Sequence, residues 1–93
     1  MAAHSKTTAE LLTVMKKANA VAVLTALIRA PSRGLRPSEI EERLGLRAAQ
    51  VHRSLDFLTS RGLADKAGTR HRVMYRLKAR GRSVAHRLVA AVE

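Results

Sequence analysis

The run Pro37-Ser38-Glu39-Ile40-Glu41-Glu42-Arg43-Leu44-Gly45-Leu46 constrains this chain more than any other stretch. Proline loses no needed N–H at the first position of a helix. Ser38-Glu39-Ile40-Glu41 has the spacing of a capping box, in which a hydroxyl and a carboxylate satisfy free N–H groups at a helix start. Ile40 and Leu44 fall one turn apart and face inward. Gly45 suits the left-handed residue that ends a helix, and Leu46 is the apolar residue that packs back beneath such a turn. A second helical pattern follows almost at once. From about residue 47 to 61, Val51, Leu55, Leu58 and the small Ala48 share one stripe, and Gly62 supplies another stop. The reading is helix, tight turn, helix.

Two short helices cannot bury both stripes alone, so the flanks must complete the core. Thr7-Thr8-Ala9-Glu10 predicts a helix start. Leu11, Met15, Ala18 and Ala22 recur at helical spacing, with Val21, Leu24 and Ile28 beside them, so residues 8–30 form one bent helix or two abutting ones, Asn19 being the natural break. Pro31 closes this segment, and residues 32–34 are a loop. Beyond Gly62, residues 63–66 read as extended, Ala67-Gly68-Thr69 as a turn, and residues 73–78 alternate like a half-buried strand. That makes a β-hairpin with Arg70-His71-Arg72 at its tip. After Gly81, Val84, Leu88, Ala91 and Val92 return to helical spacing, with Arg82, His86 and Arg87 on other faces. The expected fold is mainly α with a small β-hairpin (α+β). It is one domain, residues 1–93, with an N-terminal helical extension (1–17), a core (18–78) and a C-terminal helix (79–93).

Composition narrows the partner. Lys and Arg number 18 against 7 Asp and Glu, a net charge of +11 on 93 residues. Such a balance disfavours self-association and favours anionic partners, nucleic acid first. With one Tyr and one Phe, the core must be Leu, Val and Ala packing. The absence of cysteine excludes disulfides, Cys-containing zinc fingers and thiol switching. His4, His52, His71 and His86 are scattered without metal-ligand spacing, so no metal and no cofactor is expected. No phosphate loop, nucleophile elbow or paired carboxylates appear, and Ser54, Ser60 and Ser83 read as surface or terminal helix residues. The chain is therefore not read as an enzyme. Its longest apolar run, residues 18–28, is about half of a membrane span, and its first residues lack the apolar stretch of a secretory signal. The expectation is a soluble, cytoplasmic, nucleoid-associated protein.

The order of elements is that of a winged helix-turn-helix. From Gly34 to Leu63, GLRPSEIEERLGLRAAQVHRSLDFLTSRGL resembles the bacterial and archaeal MarR/ArsR-type regulators. The shared features are Pro-Ser-Glu-hydrophobic, a Leu-Gly-Leu turn, Val-x-Arg-x-Leu and a closing Arg-Gly-Leu. Leu77-Lys78-Ala79-Arg80-Gly81 resembles their Leu-Thr-x-x-Gly, and the likeness spans roughly residues 20–90. The chain departs from the pattern where Arg36 and Arg47 replace the usual Ser or Thr caps and Lys78 replaces Thr. Those caps are weaker, and each exchange adds positive charge.

The resemblance implies a sequence-specific regulator of transcription that binds double-stranded DNA, with the residue 47–61 helix in the major groove. With Val51, Leu55 and Leu58 inward, Ala49, Gln50 and Arg53 project outward, with His52 at the flank. Gln50 suits adenine N6 and N7, Arg53 suits guanine O6 and N7 or a phosphate, and Ala49 suits a thymine methyl. Arg47 reaches the backbone at the helix start. The wing residues Arg70, His71 and Arg72 are expected at the minor groove or its phosphates. Residues 66–93 carry eight Lys and Arg and only Glu93 as an acid, whereas Glu39, Glu41 and Glu42 cluster on the preceding helix, where they should face away from phosphate. One winged helix covers one half-site, so a homodimer acting as a repressor is expected. Its seam would use Leu11, Leu12, Val14, Met15, Val84, Leu88, Val89 and Val92; Phe57 fits either packing arrangement. Two other classes fit the same composition: an architectural DNA binder with little sequence preference, and a winged helix used as a protein-interaction module. Nothing in the sequence specifies a small-molecule effector.

Overall fold

Asn19 turns the chain into the left-handed region (φ 66°), and helix α1, Ala20–Ile28, begins directly after it. Asparagine tolerates this conformation better than most side chains. The computed structural model describes Lys17, residues 19–69 and residues 72–92, the last four as helix backbone. The helix start expected at Thr7 lies outside the described residues. Asn19 thus caps the part of segment 8–30 that is described, its carbonyl accepting the Val23 N–H at 3.0 Å. Helix α1 is apolar nearly all round because it packs on the two helices of the turn motif, on the hairpin and on the last helix. Its deepest residues are Ala20, Val23, Leu24, Ala26 and Leu27, so the stripe expected through Val21, Leu24 and Ile28 is shifted, leaving Val21 and Ile28 half-buried.

Helix α2 is Pro37–Leu44. Its cap is not the expected Ser38 and Glu41 pair but lies two residues earlier, where Glu39 Oε1 accepts the Arg36 N–H at 2.8 Å. Proline fixes the first helical position, which makes Glu39 the third residue of the helix. A guanidinium has no acceptor to return the bond, so only half of the reciprocal box forms. Gly45 takes φ 66°, and the N–H groups of Gly45 and Leu46 both reach the Glu41 carbonyl, at 2.8 and 3.2 Å. The turn is closed by backbone alone. Helix α3, Ala48–Ser60, opens the same way, with Gln50 Oε1 accepting the Arg47 N–H at 2.9 Å. Val51, Leu55 and Leu58 are buried as expected. Two neighbours exchange roles: Ala48 is exposed, and Ser54, expected on the surface, is buried. The buried arc is centred on the Val51, Leu55 and Leu58 rows and extends to the Ser54 side. At the end of α3, the Leu63 N–H returns to the Leu58 carbonyl at 2.9 Å around Gly62.

Strands β1, Ala64–Ala67, and β2, Met74–Leu77, pair antiparallel with Ala64 opposite Leu77 and Ala67 opposite Met74. Tyr75 and Leu77 are buried while Arg76 is exposed, the alternation of a half-buried strand. Leu35, in the link before α2, exchanges two backbone hydrogen bonds with Tyr75, at 2.9 and 2.8 Å, adding a single-residue rung on the far edge of β2. Helix α4, Ala79–Val92, starts at the first residue of the expected C-terminal helix. Its start is fixed by the Lys78 N–H on the Leu63 carbonyl and the Arg82 N–H on the Lys78 carbonyl, both 2.9 Å. Gly81 is in the first turn, against Leu63. Leu24, Leu35, Ile40, Leu55, Leu63, Tyr75 and Val84 join one core drawn from the helices, the link and the hairpin. The architecture is four helices and a two-stranded hairpin among the described residues, a winged helix-turn-helix.

Candidate nucleic-acid interface

Burying Val51, Ser54, Leu55 and Leu58 fixes what α3 shows to solvent. Ala49, His52, Arg53 and Asp56 are exposed, and Arg47 is exposed at the helix start. Gln50 is half-buried on the flank, its carbonyl oxygen already engaged by the Arg47 N–H. The expected readers Ala49, His52 and Arg53 therefore share the open face, while Gln50 stands at its edge. In the wing, Arg72 is exposed, and its N–H bonds the Thr69 carbonyl at 2.9 Å. Arg70 and His71 lie outside the described residues.

One side of α3 forms a hollow of about 460 Å³ with Arg36 and Ser38 of the α2 start and with Lys66 and Tyr75 of the wing, His52 and Asp56 supplying the α3 wall. The helix start, the open face of α3 and the base of the wing thus stand on one side of the molecule. Glu41 also lines this hollow, so it does not turn away from that side as the sequence reading expected. Glu39 is held differently. Its two carboxylate oxygens take a bidentate pair of bonds from Arg33, at 3.2 and 3.0 Å, and one oxygen also accepts the Arg36 N–H. The Arg33 guanidinium, then the Arg36 N–H, hold the Glu39 carboxyl well below the usual carboxylate range, at about 2. Its charge is spent on ordering the loop and capping α2.

The opposite flank of α3 forms a second crevice of about 460 Å³, lined by Lys17, Asn19, Gln50, Arg53, Ser54 and Phe57. The half-buried Phe57 ring has the Lys17 ammonium and the Arg61 guanidinium each 5.6 Å from its centre, within reach of cation–π attraction. Of the residues expected at a dimer seam, Leu88 and Val84 are buried in the core of the single chain. Leu11, Leu12, Val14 and Met15, and the side chains of Val89 and Val92, lie outside the described residues. Sequence reasoning missed Asp56 and Lys66 as part of this face. The spacing held a signal for Asp56, which is two helical turns from Ala49 and so on the same row; Lys66 arrives only through the hairpin's folding. Among the described residues no group of three His, Asp or Glu could hold a metal ion, and no helix is long and apolar enough to cross a membrane.

A helix-turn-helix whose second helix stands beside a cationic hairpin defines a winged-helix DNA-binding protein. The sequence matches the family model described as MarR family over residues 12–73. The chain belongs to the MarR family and is a DNA-binding regulator of transcription, not an enzyme. Its fold is similar to that of TubR from Bacillus thuringiensis serovar israelensis, solved bound to 24 bp of tubC, with a TM-score of 0.80, 15% identity, and 97% of this chain and 99% of that one covered. It is also similar to the transcriptional repressor BigR from Xylella fastidiosa (TM-score 0.74, 18% identity, 89% and 80% covered). A third likeness is to a possible HxlR family transcriptional factor from Thermoplasma volcanium (TM-score 0.76, 18% identity, 88% and 74% covered). At these identities the likeness is one of fold. No curated protein matches the sequence.

Proposed function

We propose that this chain is a sequence-specific, homodimeric repressor that acts at the nucleoid in the cytoplasm and binds double-stranded DNA with α3 in the major groove and the wing beside it. The observation that carries this reading is the hollow shared by the α2 start, α3 and the wing, which gathers Arg36, His52 and Lys66 on one side. TubR, solved on a 24 bp duplex, supports the DNA partner, and the repressor BigR supports the direction of regulation.

On this reading Arg53 meets guanine O6 and N7 or a phosphate, and Ala49 packs on a thymine methyl. Gln50 offers its amide N–H to adenine N7 while its oxygen keeps the Arg47 N–H. Arg36, Arg47 and Lys66 neutralise phosphates, and Arg70, His71 and Arg72 follow the minor groove. Two copies, joined through the segment before Asn19 and the end of α4, set α3 helices about 34–36 Å apart on a pseudo-palindrome, and repression follows by occlusion. The test is selection of duplexes from a random pool by the full chain at near-physiological salt. Enrichment of a two-fold symmetric motif is the expected result. Retention of DNA with no enriched motif overturns it in favour of an architectural binder, the reading that the net charge of +11 favours.

A further inference from the structure

We infer that Asp56 is a specificity-determining residue that selects cytosine at one position of each half-site; the inference rests on the proposal that α3 enters the major groove. The chain has 7 acidic residues against 18 basic ones, so an acid on the DNA-facing row requires a reason. Glu39 is bound to Arg33, and Asp65 stands across the hairpin from Arg76. Glu42 is exposed on α2, and Glu41, also on α2, lines the same hollow as Asp56 but is not on the α3 row. Asp56 alone sits on α3, exposed, two turns from Ala49 and one turn from Arg53. Asp56 shares its hollow with Arg36, His52 and Lys66, and the Arg33–Glu39 ion pair does not involve it.

A carboxylate only accepts hydrogen bonds. In the major groove guanine offers N7 and O6 and thymine offers O4, all acceptors, so either base repels Asp56. Adenine offers its N6 amino group beside the N7 lone pair, which faces the same carboxylate. Cytosine offers the N4 amino group and carries no acceptor of its own on that edge, so among the four bases it best compensates the desolvated charge. Against phosphate Asp56 is repulsive everywhere, so it weakens binding to unrelated sequence and sharpens the contrast with the correct site.

The test repeats the random-pool selection with the full chain as wild type, Asp56→Ala and Asp56→Asn. Asp56 is exposed, so neither exchange disturbs the core. The wild type should enrich cytosine in one column per half-site. Asp56→Ala should flatten that column alone, with about a tenfold loss of discrimination there. Asp56→Asn should turn the column to adenine, because an amide pairs with N6 and N7 together. A role in general repulsion alone would raise the affinity of both variants for every duplex and leave all columns as they were. That outcome, or a column that is not cytosine in the wild type, overturns the inference while leaving the proposed function intact. A wild type that enriches no motif overturns the proposed function, and the inference with it.

Discussion

Gln50 accepts the backbone N–H of Arg47 at 2.9 Å, so the side chain that the sequence offers to adenine also closes the start of α3. The two duties separate by substitution. Gln50→Glu keeps an oxygen for the Arg47 N–H and places a negative charge at a helix N-terminus, where it is favourable. It loses the amide donor and repels phosphate. Thermal or denaturant unfolding of Gln50→Glu should match or slightly exceed that of the wild type, while affinity for the selected duplex should fall about tenfold or more. Gln50→Ala should lose both, with a stability cost of about 0.5–1 kcal/mol because the freed N–H is open to water.

Glu39 ties α2 to the preceding loop through Arg33, and the tie is sensitive to acid. Its folded carboxyl titrates at about 2, below the ordinary value near 4.3. A depressed folded pKa means that the stabilisation is complete above the unfolded value and is lost as pH falls from about 4.5 toward 2. Arg33→Ala removes the largest cause of the shift. A carboxyl-detected NMR titration should show the Glu39 pKa rising in the variant, and its acid unfolding should begin at higher pH than in the wild type.

Gly81 lets the first turn of α4 lie directly on the hairpin. A Cβ there would run into the Leu63 carbonyl, with the Leu77 side chain 3.1 Å away. That carbonyl also accepts the Lys78 N–H and cannot retreat without breaking the bond. Gly81→Ala should destabilise the fold by about 1–3 kcal/mol in denaturant titration, even though alanine is ordinarily the better helix former.

Arg72 lies at the base of the wing tip, exposed, with its backbone held by Thr69. If it contacts phosphate, Arg72→Ala should weaken binding to cognate and unrelated duplexes alike and reduce the slope of log affinity against log salt by about one.

The punctuation of the helices was legible because Pro37, Gly45 and Gly62 act through backbone conformation, a local property. The row of Val51, Leu55 and Leu58 was legible for a similar reason, since spacing alone puts these residues on one face. Features that depend on distant neighbours were not. The capping box read at Ser38 lies instead at Arg36 and Glu39, because Pro37 fixed the helix start and Arg33 reached across six residues to hold Glu39. The burial of Ser54 and the exposure of Ala48 depend on where α1 meets α3, which no local pattern records. Leu35 pairs with Tyr75 across forty positions of sequence, and the hollow that joins His52 to Lys66 exists only once that pairing has positioned the wing. The cationic readers were visible one by one; the Asp56 among them was passed over because charge counting looks for the majority sign.

The central claim, that this chain reads a DNA sequence instead of gripping charge, is tested most directly by comparing affinities for the selected duplex and a scrambled duplex of the same composition by fluorescence anisotropy, from about 50 to 200 mM salt. The account predicts that the selected duplex binds at least about 10³-fold more tightly near physiological salt. It also predicts that log affinity falls against log salt with a slope near −5 if about six phosphates are neutralised. Equal affinity for the two duplexes across the salt range would contradict it.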